Sequence, residues 1–92
     1  VTLTVPPGAV VVAPAAGTIA FSKRFRGYRR VVILDHGDGW TTAITGLAAS
    51  VGPVGGHVVA GTPVGRAPAG DAAPVTVELR RHGVPVDLAA ML

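Results

Sequence analysis

Glu78 and Arg80 stand two residues apart in "PVTVELRR", Pro74 to Arg81, and offer the chain's clearest pairing of opposite charges. In an extended strand that spacing puts both on one face with Pro74 and Thr76, while Val75, Val77 and Leu79 take the other. The apolar face is expected to be core. The polar face could line an active site, a docking groove, or nothing but water. Arg80 and Arg81 close the strand and by parity point to opposite sides. The three histidines, His36, His57 and His82, each lie beside glycine. None stands two or four residues from another histidine, and the one carboxylate at such a spacing on a shared face is Asp38, two residues beyond His36. A zinc site needs three or four converging nitrogen, oxygen or sulfur ligands, and this spacing supplies no histidine pair. Ser22 and Ser50 lack the sharp strand-to-helix turn that exposes a nucleophile, and the chain has no cysteine, so thiol chemistry and disulfides are excluded. No glycine-rich loop opens a helix, which removes nucleotide phosphate cradling.

A second group is basic. Five of the eight lysines and arginines (Lys23, Arg24, Arg26, Arg29 and Arg30) fall in "KRFRGYRR", within a formal net charge of +3. With Phe21, Phe25 and Tyr28 interleaved, this resembles a stacking platform for single-stranded nucleic acid. Three aromatics are few for that purpose, and at least one is expected to pack under the hairpin. The reading is therefore a solvated, anion-attracting surface, with nucleic acid not expected as a partner.

These residues need strands to position them. Of the 92 residues 49% are hydrophobic and 14% charged, enough apolar material for one core and one domain, residues 1–92. The 13 Gly and 8 Pro are spread between Val-rich runs, the pattern of short strands joined by tight turns. "VTLTV", "AVVVA", "TIAFS", "RRVVILDH", "GWTTAITGL" and "PVTVELRR" read as strands, with a hairpin at "HGDG". "SVGPVGGHVVAGTPVGRA" reads as very short strands crossing a barrel-like sheet. Only "VDLAAML" has helical composition, at most two turns. The expected fold is all-β, a hybrid barrel or sandwich of short antiparallel strands. No apolar run is long enough to span a membrane, and a chain starting at Val1 reads as a domain cut from a longer precursor.

In order, "VVVAPAAGTIAF", "GYRRVVILDHGDGWTTAITGL", "SVGPVGGHVVAGTPVGRA" and "VTVELRRHGVPVD" resemble the landmarks of the LytM-type (lysostaphin-like) peptidase domain, most closely the EnvC-type murein hydrolase activators. The resemblance covers nearly the whole chain. It implies a zinc site held by a His and an Asp early in the chain and by the second His of a late H-x-H, with two further catalytic histidines. By the same alignment Thr2 replaces the Asp, Pro74 and Thr76 replace the H-x-H pair, and Gly46 replaces the remaining His. The partner His would lie before Val1. Ile44 stands where related sequences often carry an aromatic residue.

The resemblance thus implies a pseudo-enzyme without metal or cofactor. Its groove would bind the regulatory helix of a zinc-dependent N-acetylmuramoyl-L-alanine amidase in the periplasm and relieve that enzyme's autoinhibition during cell separation. The implied partner-binding residues are Arg80, Ile44, Gly46, Thr76, Pro74 and Thr2, with Arg80 meeting a carboxylate or, alternatively, pairing with Glu78. Two other functions are open: a module that binds peptidoglycan directly, and an active zinc endopeptidase. A biotinyl-type carrier fails because the only lysine, Lys23, sits beside Arg24 rather than between small residues.

Overall fold

The computed structural model describes residues 2–3, 5–25, 29–69 and 75–85. They form ten strands: β1 (Thr2–Leu3), β2 (Val10–Val12), β3 (Gly17–Phe25), β4 (Arg29–Gly37), β5 (Trp40–Leu47), β6 (Ala49–Ser50), β7 (His57–Val58), β8 (Pro63–Arg66), β9 (Val75–Arg81) and β10 (Val84–Pro85). The architecture is all-β, as the sequence predicts. The helical turns expected in "VDLAAML" lie outside the described residues.

The larger sheet runs β1-β9-β5-β4-β3-β7, with β10 also paired to β9, and the smaller runs β2-β8-β6. Every pairing is antiparallel. The long hairpin β3–β4 and the hairpin β4–β5 build the centre of the large sheet from neighbours in sequence. The second turns through Asp38 and Gly39, both at positive φ (53° and 78°), where Asp and Gly are the residues that carry least strain.

Alternation sorts the large sheet into two faces. One contributes Ile19, Val32, Leu34, Ile44 and Val75 to a core that Ala13, Leu47, Val58, Val64 and Ala67 complete. Fully burying such a side chain is worth about 1.5–3 kcal/mol, so this seam between the two sheets holds the domain together. Thr42, 1% exposed, is the one buried polar side chain of the described residues. Its hydroxyl lies 2.6 Å from His36 Nε2, and His36 Nδ1 lies 2.8 Å from the Ala16 carbonyl oxygen. A carbonyl only accepts, so Nδ1 carries a proton and His36 ties β4 to the start of β3 at the end of the core.

Candidate functional site: the open face of the large sheet

The face turned away from the core is laid out by strand register. One row joins Phe21, Ile33, Ala43 and Glu78 across β3, β4, β5 and β9. Beside it, Asp35, Thr41 and Arg80 form a second row. On the other flank Thr45 stands opposite Thr76, and Thr76 opposite Thr2. Strands of one sheet lie ~4.8 Å apart, so each row is a continuous strip of floor about 10–15 Å wide. Its middle row is apolar from Phe21 to Ala43 and ends in Glu78, and its flanks carry Asp35, Thr41 and Arg80 on one side and Thr45, Thr76 and Thr2 on the other.

Gly46 reaches this face by a β-bulge. Arg30 pairs with Leu47 and Val32 with Ile44, so Thr45 and Gly46 of β5 stand against Val31 alone on β4. The extra residue lets Ile44 and Leu47 both enter the core, at 1% and 0% exposure, and turns the two residues between them outward. Gly46 has φ of 89°, a conformation that glycine adopts without the penalty of a Cβ. The bulge therefore sets Gly46 next to the Thr45–Thr76–Thr2 row.

The residues singled out from the sequence separate as follows. Thr2, Thr76 and Gly46 come together at one end of the floor. Arg80 lies on the same face two residues along β9. Pro74 lies outside the described residues. Ile44, expected to shape a wall of the groove, belongs instead to the core, where it pairs with Val77 and closes one side of an apolar cavity of about 250 Å³ lined also by Val5, Val11 and Val75. A side chain 1% exposed has no surface left to offer a partner from the open face.

Glu78 and Arg80 are paired: Arg80 Nε donates to Glu78 Oε1 at 3.0 Å and an Arg80 terminal nitrogen to Oε2 at 3.2 Å. The two side chains are 44% and 34% exposed, Arg80 the more, so water screens the bond. Arg81 leaves the sheet on the other side and places its guanidinium 5.1 Å from the centre of the Trp40 ring, a cation–π contact. Trp40 and Arg81 are register partners, as Thr41 and Arg80 are on the open side. The opposite orientations of the two arginines follow the parity of the strand.

Among the described residues no group of three or more His, Cys, Asp or Glu side chains is placed to hold a metal ion. His36 is engaged in the core end, and His57 Nδ1 lies 3.2 Å from Thr18 Oγ1 at the far edge of the sheet. Two polar clusters escaped sequence reasoning: Ser22–Ser50–Arg30, whose members lie on three strands up to 28 residues apart, and His36–Thr42, which meet only through the register of the β4–β5 hairpin. No local spacing signals them.

Residues 1–88 match the profile of Peptidase family M23. The chain belongs to this family. Its fold is shared with a putative peptidase M23 from Pseudomonas aeruginosa (TM-score 0.84, 25% identity, covering 94% of this chain and 39% of the other). It is shared too with a zinc-containing peptidase from Vibrio cholerae (TM-score 0.83, 20% identity, covering 90% and 26%). A further similar structure is the SpoIIQ–SpoIIIAH pore-forming complex (TM-score 0.77, 22% identity, covering 87% of this chain and 54% of the matched one). The chain spans well under two thirds of each of these proteins. No curated protein matches it. M23-like domains thus occur both in a peptidase that contains zinc and in a protein–protein complex.

Proposed function

We propose that this M23 domain is non-catalytic and that its open face receives the regulatory helix of a zinc-dependent N-acetylmuramoyl-L-alanine amidase, relieving that enzyme's autoinhibition. The observation that carries the reading is the row Thr2–Thr76–Thr45 beside Gly46. It occupies the end of the floor where the resemblance to LytM-type domains calls for metal ligands. Threonine hydroxyls and a glycine supply neither imidazole, carboxylate nor thiolate, the donors that hold zinc in proteins, so the residues present do not fit that metal. No hydrolytic step is assigned to them.

The same floor suits a polypeptide. Phe21, Ile33 and Ala43 give an apolar strip against which a helix can lay its own apolar stripe, and the flanking threonines, Glu78 and Arg80 can orient it. Activation then requires only that the groove bind the regulatory helix more tightly when it has left the amidase active site than when it lies upon it. Such an activator works where its amidase works, in the periplasm.

The test is hydrolysis of purified murein by a candidate amidase with and without the domain, alongside metal analysis of the purified chain. Stimulation by a domain that releases no murein fragments by itself is the expected result. Stoichiometric zinc, or murein peptide cleavage abolished by a chelator, would return the chain to the active peptidases. Direct peptidoglycan binding is the second reading, supported by the basic β3–β4 hairpin. Retention on purified sacculi in the absence of any amidase, with no stimulation in its presence, would favour it.

A further inference from the structure

Arg24 and Arg30 are register partners across β3 and β4, on the face of the large sheet opposite the groove. Like charges set directly across an antiparallel pair repel. None of the three carboxylates among the described residues relieves them: Glu78 is bound to Arg80, Asp35 lies five residues along β4, roughly 16 Å away at strand rise, and Asp38 lies farther still, in the turn beyond β4. Arg30 is nevertheless held in place. Its Nε donates to Ser50 Oγ at 2.8 Å, and Ser50 Oγ also accepts from Ser22 Oγ at 2.9 Å. This chain ties β3, β4 and β6 together at the margin of the core.

Counting hydrogens shows what the cluster lacks. Two hydroxyl protons share one bond between the serines, so one remains to be donated, whichever serine gives it. The Nε of Arg30 is used, while its two terminal nitrogens and the exposed guanidinium of Arg24 have no partner among the described residues. Apart from the lone pairs of Ser22 Oγ, the unspent groups are donors, and two carry full charge.

We propose that Arg24, Arg30 and the Ser22–Ser50 pair form a binding site for a phosphate group. Two guanidinium forks and a hydroxyl match an anion with three or more oxygens and a charge near −2, as a phosphate or phosphomonoester has at neutral pH. A carboxylate, with two oxygens and one charge, fills one fork and leaves the repulsion in part. Free phosphate and a phosphomonoester lipid headgroup share this chemistry. The site is independent of the groove on the other face.

Titration of the isotopically labelled chain with inorganic phosphate, followed by the backbone and Arg Nε resonances, is expected to show saturable shifts at Arg24, Arg30 and Ser50. Acetate should bind at least tenfold more weakly. Arg24→Gln and Arg30→Gln should each lower phosphate affinity tenfold or more and Ser50→Ala severalfold, whereas Arg81→Gln, with the same loss of charge, should change it less than twofold. Arg24 is exposed, so its variant carries the test if Arg30→Gln fails to fold. Sedimentation with phosphatidylcholine vesicles, with and without phosphatidic acid, separates the sources. Phosphate-competed binding to the acidic vesicles alone assigns a headgroup, and phosphate binding with no vesicle binding assigns the free ion. Absence of saturable binding by either probe, equal affinity for acetate, or an equal loss in Arg81→Gln would overturn the proposal.

Discussion

The Glu78–Arg80 pair allows the groove reading to be tested by the sign of two effects. If a carboxylate on the amidase helix docks on Arg80, it must compete with Glu78, which already occupies two of the guanidinium's donors. Glu78→Gln weakens the internal competitor, and because the pair is partly exposed its strength is bounded at ~0.2–1 kcal/mol. Helix binding should therefore tighten, by about 1.4- to 5-fold. Arg80→Ala removes the docking group itself and should cost about 2 kcal/mol of binding, on the order of 30-fold. Neither variant should lower unfolding free energy by more than about 1 kcal/mol, since the same screened bond is all that either removes. Affinity for a labelled regulatory-helix peptide, measured by fluorescence anisotropy beside urea unfolding, gives both quantities. Equal weakening by the two variants would mean that the intact ion pair is what the helix meets, and unchanged affinity in Arg80→Ala would remove Arg80 from the site.

Other expectations concern the frame that holds this face. Leu34→Ala, at a fully buried position, should cost about 2–5 kcal/mol in denaturant unfolding. Thr42→Val keeps the shape but leaves His36 Nε2 without its partner, and should cost about 1 kcal/mol by the same measurement. Gly65→Ala would place a Cβ 2.7 Å from both the Ala49 carbonyl oxygen and a Leu47 methyl, so β6 and β8 must part, with a loss of roughly 1–3 kcal/mol in thermal or urea unfolding. Arg81→Ala should change Trp40 fluorescence and cost about 0.5–1 kcal/mol, without altering helix affinity.

Parity alone reads β9 well because it is regular over the whole of Val75–Arg81. Val75 goes to the core, Thr76, Glu78 and Arg80 share the open face, and Arg81 turns back to Trp40. The same rule fails on β5. Strict alternation from Ile44 gives Gly46 the same face as Ile44, and the family resemblance names both as partner-binding residues. The bulge at Thr45–Gly46 breaks the alternation, sending Ile44 inward and Gly46 outward. A glycine inside an otherwise β-forming run is itself a signal of such a bulge, but periodicity does not say which side of it changes face. That is decided by Leu47, whose full burial against the small sheet requires the inserted residue.

The consequence reaches the proposed function. Because the bulge sets Gly46 beside the threonine row, three of the positions that the LytM-type resemblance assigns to the metal site, Gly46, Thr76 and Thr2, share one face of the sheet, as the proposed reading requires. On the proposed reading, a face whose polar residues at this end are threonines and whose middle strip is apolar would hold a peptide surface in place of a cation. The Glu78–Arg80 pair, with Asp35 in the row of Arg80, stands at the far end of the floor from Gly46, where under the proposed function it would set the direction in which a helix lies across the strip.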